Sequence, residues 1–303
     1  MNWNRGRLIF EQDPKSGLTH AANPTAIRLS FSTYRIFFST RNRANQSVIA
    51  AFDYNLSEMF VERTLPELVF DELTPDSFYQ DGLGLGSAFY VSGSWYLYFM
   101  GWKNPPGGAH WQGEIGRLRL DDKLEKGEMV ERHPVLGISD LDATSVSYPW
   151  IVEGTGTSME MWYGTTHSWD YGNGEMLHVL RRASSENGLR WYPRKTFLPY
   201  EIGVMQAFSR PSILRVQEGV LEMYFSYRGA PPSKYKIGRA FSGDNGETWT
   251  HLGEVAGLIS GEAWDSEMRE YPFVFFHEDV PFMLYNGNAY GKTGIGLSTG
   301  EVV

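Results

Sequence analysis

Residues 95–102 read WYLYFMGW, an aromatic and apolar strand that ends in a glycine and a second tryptophan. Four further stretches share this character: residues 34–40 (YRIFFST), 159–165 (MEMWYGT), 221–229 (LEMYFSYRG) and 281–288 (PFMLYNGN). Aligned on one aromatic position, they fall at Phe38, Phe99, Tyr163, Phe225 and Tyr285, at intervals of 61, 64, 62 and 60 residues. The chain therefore repeats one structural unit five times.

Each repeat contains other strands at the same spacing. A shorter apolar strand leads into each aromatic stretch and starts near Pro24, Ser87, Pro149, Pro211 or Pro272. A third strand follows, and no helical periodicity separates one unit from the next. Five β-units of one length predict an all-β fold, a five-bladed β-propeller.

The last unit predicts how the ring closes. It ends soon after its third strand, with only residues 299–303 left, so it lacks a fourth strand of its own. Residues 3–10 (WNRGRLIF) are similar to residues 191–198 (WYPRKTFL), which follow the third strand of another unit. We expect residues 3–10 to complete the last blade as its outer strand, which removes an open sheet edge. With no linker interrupting the repeat, residues 1–303 are predicted to form a single domain.

Composition and net charge restrict the classes of partner that the protein is expected to bind. The formal net charge of −9 disfavours nucleic acid and anionic membranes, and no stretch is long and apolar enough to span a bilayer. The first residues lack the apolar core of a signal peptide, and the chain contains no cysteine, so we expect a cytoplasmic protein. The histidines are too scattered for a local metal motif, and we predict no metal and no cofactor.

Candidate site residues follow from the blade topology. In an up-and-down blade, the start of the first strand and the link between the second and third strands lie at the same end, so ten segments surround one funnel. Ligands of ring-shaped folds bind in such concave centres. Polar and aromatic residues are concentrated there: His20, Asn23, Asp81, Asp142, Arg210, Asp265, Glu267 and Glu270 at first-strand starts, and Arg41, Trp102, His167, Arg228, Asn286, Asn288 and Lys292 in the links.

This mixture of groups suits a sugar, because hydroxyls need polar partners and pyranose faces stack on aromatic rings. Arg210 and Arg228 belong to one unit. An arginine in a narrow funnel usually pairs with a carboxylate, which is either an internal glutamate or an anionic group of the ligand. A sugar or sugar nucleotide, and one with an anionic group, is therefore the expected ligand class. The oligomeric state is not predicted.

Three pairs of phrases identify a family resemblance. They are residues 81–88 (DGLGLGSA) before 95–102, residues 209–212 (SRPS) with 226–229 (SYRG), and residues 264–272 (WDSEMREYP) with 283–295 (MLYNGNAYGKTGI). In them the chain resembles the five-bladed superfamily of arabinanases, levansucrases and invertases, which includes family 43 and family 130 glycoside hydrolases. It is most similar to a branch found in bacterial surface-polysaccharide gene clusters. The resemblance extends over all five units.

The resemblance implies a sugar-active site in which acidic residues on separate blades serve as base or nucleophile, acid and pKa modulator. Asp81, Glu267 and Glu270 lie where such carboxylates are expected, and Asp81 and Glu267 are the leading acid–base pair. The first blade has His20 and Asn23 where family hydrolases usually place an aspartate. Hydrolysis, phosphorolysis and glycosyl transfer therefore all remain open.

The alternative to an enzyme is a glycan-binding propeller in a polysaccharide assembly system, which keeps the funnel but needs no acid–base pair. A scaffold that uses its rim for protein contacts is a third reading, and it would require exposed apolar patches on the outer faces. The first two readings predict different behaviour of carboxylate variants, since only an enzyme loses turnover while it keeps binding.

Overall fold

The computed structural model describes residues 1–154, 158–258 and 262–301. Nearly all regular structure in these residues is β. Two 3-10 turns, Pro14–Ser16 and Ala263–Asp265, and one short segment, α1 (Asn288–Gly291), make up the helical part of the described chain. Segment α1 is irregular, because Ala289 and Tyr290 both have left-handed backbone conformations.

The strands follow the repeat. The chain starts with β1 (Asn2–Trp3) and β2 (Arg7–Phe10). Unit 1 consists of β3 (Thr19–Arg28), β4 (Thr33–Arg41), β5 (Ser47–Asn55) and β6 (Phe60–Thr64). Unit 2 consists of β7 (Gly82–Val91), β8 (Ser94–Lys103), β9 (Gln112–Leu120) and β10 (Gly127–Met129). Unit 3 consists of β11 (Ser145–Glu153), β12 (Met159–Ser168), β13 (Leu177–Ser185) and β14 (Tyr192–Phe197). Unit 4 consists of β15 (Ala207–Gln217), β16 (Val220–Arg228), β17 (Lys236–Ser242) and β18 (Thr250–Glu254), and unit 5 begins with β19 (Glu270–His277), β20 (Val280–Asn286) and β21 (Ile295–Glu301).

Within each unit, consecutive strands pair antiparallel. In unit 5 the outer position is taken from the other end of the chain: β2 pairs antiparallel with β21, with Leu8 opposite Gly296. Strand β1 extends this pairing, with Trp3 opposite Gly300. Units 1 and 2 meet through one parallel bridge, Ser47 with Gly82, and units 3 and 4 meet through another, His178 with Ala207.

The repeated aromatic position forms the core between units. Phe38, Phe99, Tyr163, Phe225 and Tyr285 are each at most 1% exposed. Burying large rings supplies most of the stabilisation of a sheet assembly of this kind, because aromatic rings carry the largest apolar areas. The repeat of about sixty residues in the sequence thus places one buried aromatic ring in each unit.

The first strand of every unit carries a β-bulge at one equivalent place. The pairing register shifts between Ala22 and Thr25 in unit 1, and at matching positions in the other units. The bulged residue has a positive φ in four units: Asn23 (54°), Tyr148 (40°), Arg210 (42°) and Tyr271 (56°). Bulges redirect side chains, and left-handed conformations in non-glycine residues occur where the surroundings enforce them. These bulges thus occur at polar side chains: one asparagine, two tyrosines and one arginine.

One turn on the outer side has a structural role. Asp244 Oδ1 accepts hydrogen bonds from Ser242 Oγ (2.7 Å) and from the Thr248 main-chain N–H (2.9 Å). The Thr248 hydrogen bonds lower the pKa of Asp244 to about 2. The adjacent Trp249 packs edge-to-face on Trp162, with ring centroids 5.4 Å apart. The Asp turn therefore fixes the outer strand of unit 4 against its neighbour.

Candidate functional site

A cavity of about 490 Å³ lies where the first-strand starts and the second-to-third-strand links of all five units meet. We call it the central cavity. Among the predicted site residues, five line it: His20, Asn23, Arg41, Trp102 and Arg228. A pocket of this size accommodates a small sugar.

Aromatic side chains form one wall of the central cavity. His110 stacks on Trp169 with ring centroids 4.9 Å apart and planes 17° apart. Trp111 meets the same Trp169 edge-on at 4.8 Å. Trp102 lines the cavity as well. These rings come from the links of units 2 and 3 and offer flat apolar faces beside polar groups.

An ion pair occupies the wall formed by units 3 and 4. Arg228 Nε lies 2.6 Å from Glu175 Oε2, and Arg228 Nη2 lies 2.9 Å from Glu175 Oε1. The same guanidinium packs over the ring of Tyr235 at 4.6 Å and donates from Nη1 to Tyr290 Oη at 3.2 Å. Glu175, Arg228, Tyr235 and Tyr290 all line the cavity. Arg228 is thus paired with an internal glutamate, the first of the two partners expected for it.

Glu270 lies beside this group and is fully buried. Burial raises its pKa well above the ordinary value, and the nearby charge of Arg228 opposes that rise. Asn286 Nδ2 donates to Glu270 Oε1 over 3.4 Å, and the Tyr290 main-chain N–H faces the carboxyl group. Glu270 therefore lies next to the cavity wall without exposed surface, and its burial favours the protonated form.

Among the described residues, Arg210 forms no ion pair with a carboxylate. Its guanidinium is fully buried and donates to carbonyl oxygens of units 1, 2 and 5, including Leu85 O (3.1 Å), Gly86 O (2.8 Å) and Tyr271 O (2.7 Å), and to Thr25 Oγ1 (2.8 Å). Burial without a counter-charge lowers its pKa to about 9. Arg210 connects four units at the centre and does not line the cavity.

Both leading acid–base candidates lie outside the central cavity. Asp81 Oδ2 accepts hydrogen bonds from the Asn104 main-chain N–H (2.6 Å) and from Asn104 Nδ2 (3.1 Å), so its carboxylate holds a turn. Glu267 is exposed. Its main-chain N–H donates to Asn288 Oδ1 at 2.8 Å, which shows that Asn288 organises this loop.

The remaining predicted residues have contacts of their own. Asp142 accepts from Tyr163 Oη (2.8 Å) and pairs with Arg181 (3.3 Å). Asp265 accepts from Tyr285 Oη at 2.9 Å, and Asn286 accepts from the Asn23 main-chain N–H at 3.3 Å. His167 lines a separate depression of about 290 Å³, together with Leu141, Arg181, Lys195 and Tyr200. Lys292 is exposed near His20, where its charge acts on that ring.

Sequence reasoning missed several lining residues, of which Glu175 and His178 carry the most chemistry. Glu175 lies in the link between the second and third strands of unit 3, the kind of segment that supplied the other candidates. Extending that link to residue 176 would have included it. His178 is fully buried, its ring nitrogens lie 2.9 Å from Ser147 Oγ and 2.7 Å from Thr166 Oγ1, and burial lowers its pKa to about 3.

In residues 1–154, 158–258 and 262–301, no group of three or more histidine, aspartate or glutamate side chains is placed to hold a metal ion. Within the same residues, no helix has the length and apolar character needed to span a bilayer.

Solved structures define the class of fold. The chain is similar to a structure described as a glycoside hydrolase, with a TM-score of 0.78 and 15% identity over 99% of this chain and 92% of that one. It is also similar to the α-L-arabinofuranosidase PaAbf62A of Podospora anserina (TM-score 0.65, 13% identity, 99% and 97% of the two chains). An endo-arabinase of Bacteroides thetaiotaomicron gives a TM-score of 0.65 at 13% identity, over 94% of each chain. The protein thus has the fold of the arabinanase-like glycoside hydrolases, as the resemblance implied.

Sequence relatives define the family. Two proteins of Mycobacterium tuberculosis are each 34% identical to this chain over 308 residues, which cover 99% of this chain and 100% of theirs. They are Uncharacterized protein MT1551 of strain CDC 1551 / Oshkosh and Uncharacterized protein Rv1502 of strain H37Rv. The chain belongs to the family of these two proteins. No protein-family model matches it.

Proposed function

We propose that the protein is a carbohydrate-active enzyme that acts on a glycan or activated sugar in the central cavity. In this proposal the five units form a closed five-bladed ring that the N-terminal strand completes. Contacts between the ends of the repeat support closure: the Asn23 N–H of unit 1 donates to Asn286 of unit 5, and Arg210 of unit 4 reaches units 1, 2 and 5.

One observation carries the catalytic part. Arg228 acts on two carboxyl groups in different environments: Glu175 is its ion-pair partner, and Glu270 is a buried carboxyl whose pKa is raised. Pairs of carboxyl groups whose environments push their protonation apart serve as base and acid in sugar chemistry. Glu270 would donate the proton to the leaving oxygen, and Glu175 would act as the carboxylate. Since Glu270 has no exposed surface, proton donation requires the segment that carries Tyr290 to shift.

The burial of Glu270 favours a second function, glycan binding without catalysis. Among the described side chains that line the cavity, Glu175 is the one carboxylate, and Arg228 already holds it. Such a protein would use the aromatic wall and Asn23 to hold a sugar and leave it unchanged. A polysaccharide assembly system in the cytoplasm would suit either function.

Product analysis with carboxylate variants separates the two. The purified protein is incubated with glycosides, oligosaccharides and sugar nucleotides, with and without phosphate, and products are identified by NMR. We expect Glu270→Gln to abolish turnover and retain binding, because the amide cannot donate the acid proton. Glu218→Gln, an exposed substitution on the β15–β16 turn, is the matched control. Full turnover by Glu270→Gln would overturn the catalytic assignment. Binding of a glycan without product in the wild type would establish the second function.

A further inference from the structure

The central cavity has an uncompensated cationic side. Arg41 lines it and donates from Nη1 to Asn45 Oδ1 at 2.8 Å. In the described chain, no ion pair within 4.0 Å involves Arg41 or Lys292. Arg228, on the other wall, is neutralised by Glu175. A cavity with excess positive charge in a protein of net charge −9 concentrates anions at that place.

Local packing brings Lys292 to this side. Residues 287–292, the Tyr290 loop, lie directly on β3, since a Cβ added at Gly291 would sit 2.5 Å from Ala21 O. Consecutive left-handed residues, Ala289 and Tyr290, turn the loop so that Tyr290 enters the cavity wall. Burial and then the charges of Arg41 and Lys292 lower the pKa of His20, so these three groups lie within electrostatic reach of one another.

The floor of the same side offers a hydrogen-bond acceptor. Asn23 is 5% exposed and lines the cavity, and its Oδ1 atom is buried without a hydrogen-bond partner among the described residues. The bulge at Asn23 fixes its backbone at φ 54°. A buried acceptor without a partner costs free energy unless a ligand donor satisfies it. A sugar hydroxyl is such a donor.

We infer that the ligand is a sugar bearing an anionic group, a carboxylate or a phosphate, which binds between Arg41, His20 and Lys292. The sugar ring lies between this group and the aromatic wall, and one hydroxyl donates to Asn23 Oδ1. Arginine and lysine bind such anions through charge-assisted hydrogen bonds. The inference rests on the proposed function, in that it takes the cavity to hold a sugar.

The test follows the His20 ring by NMR while glucuronate, glucose 1-phosphate, inorganic phosphate or neutral glucose is added. An anion bound beside His20 stabilises the imidazolium, so the His20 pKa rises on saturation with the anionic probe and stays constant with glucose. We expect Arg41→Gln and Lys292→Gln each to weaken anion binding at least tenfold. Arg119→Gln, which removes an exposed charge paired with Glu128 on the outer strands of unit 2, leaves binding unchanged.

The outcomes are distinct. A response to glucuronate alone identifies an acidic sugar, and a response to the phosphates alone identifies a phosphorylated sugar; both support the inference. It is overturned if Arg41→Gln binds the anions as tightly as the wild type, or if no anion changes the His20 titration. A neutral glycan that binds or reacts in that last case leaves the proposed function intact. Anion binding together with a fully active Glu270→Gln variant would instead refute only the catalytic assignment.

Discussion

Arg228 and Glu175 form a two-point ion pair across the wall of the central cavity, with N–O distances of 2.6 Å and 2.9 Å. They are 53 residues apart and belong to different units. Because the third guanidinium nitrogen reaches Tyr290 of unit 5, one side chain links three units at the cavity. Under the proposed function, a sugar that enters the cavity would meet a guanidinium whose position is already set.

Arg228→Lys keeps the charge but cannot reproduce the planar two-point contact. We expect glycan binding to weaken at least tenfold while the fold persists, measured by calorimetry and circular dichroism. Arg119→Lys, at an exposed site away from the cavity, serves as the control. Unchanged affinity in Arg228→Lys would show that the ion pair supports the fold and not the ligand.

Glu270→Gln should stabilise the protein at neutral pH. The unfolded chain releases this proton near the ordinary pKa of 4.5, whereas burial raises the pKa of the folded carboxyl well above that value. The folded state then binds more protons, so its stability falls as pH rises above about 4.5. The amide of the Glu270→Gln variant does not titrate, so the variant does not lose stability in this way as pH rises. The difference in Tm between variant and wild type should grow from pH 4 to pH 7, and a constant difference would contradict the raised pKa of Glu270.

His178 should make the protein sensitive to acid. Its pKa is about 3 when folded and near 6.5 when unfolded, so the unfolded chain binds one more proton between these values. Stability therefore falls as pH drops from 6.5 to 3, by up to about 1.4 kcal/mol per pH unit. Denaturant titrations of His178→Asn should show a shallower slope over this range. The variant of exposed His133, His133→Gln, should keep the wild-type slope.

Arg210→Lys should destabilise the protein strongly. Lysine cannot reach the carbonyl oxygens of three units at once, and buried acceptors without donors cost about 1–3 kcal/mol each. We expect the free energy of unfolding to fall by about 3 kcal/mol or more. Urea denaturation measures it. A loss below about 1 kcal/mol would mean that water replaces the guanidinium without penalty.

The sequence predicted the all-β character and the spacing of the strands, because the same aromatic strand recurs about every sixty residues. It also predicted Arg41, Trp102 and Arg228 at the cavity, because their place in the links follows from topology. The same argument from topology could not show that Asp81 and Glu267 lie outside the cavity. Asn104 donates two hydrogen bonds to the Asp81 carboxylate. Glu267 is exposed, although it lies three residues before the buried Glu270.

The direction of a side chain at the centre is set by the bulges, which no alternation rule describes. Asn23, Tyr148, Arg210 and Tyr271 each take a left-handed conformation within the first strand of a unit. Three of them line the cavity, whereas Arg210 fills the space beneath it. Whether such a side chain lines the cavity or is buried away from it depends on the units that pack around it.

The position of Arg210 has a consequence for the order of folding. Its acceptors lie 61 residues away at Tyr271, 125 at Leu85 and 186 at Pro24. The guanidinium cannot leave water favourably until those distant segments have assembled, so its burial belongs to a late step. Native contacts over such separations make folding slow and tie the first repeat to the last. The chain should therefore refold as one cooperative body, and a fragment that lacks either end should keep its strands only loosely associated.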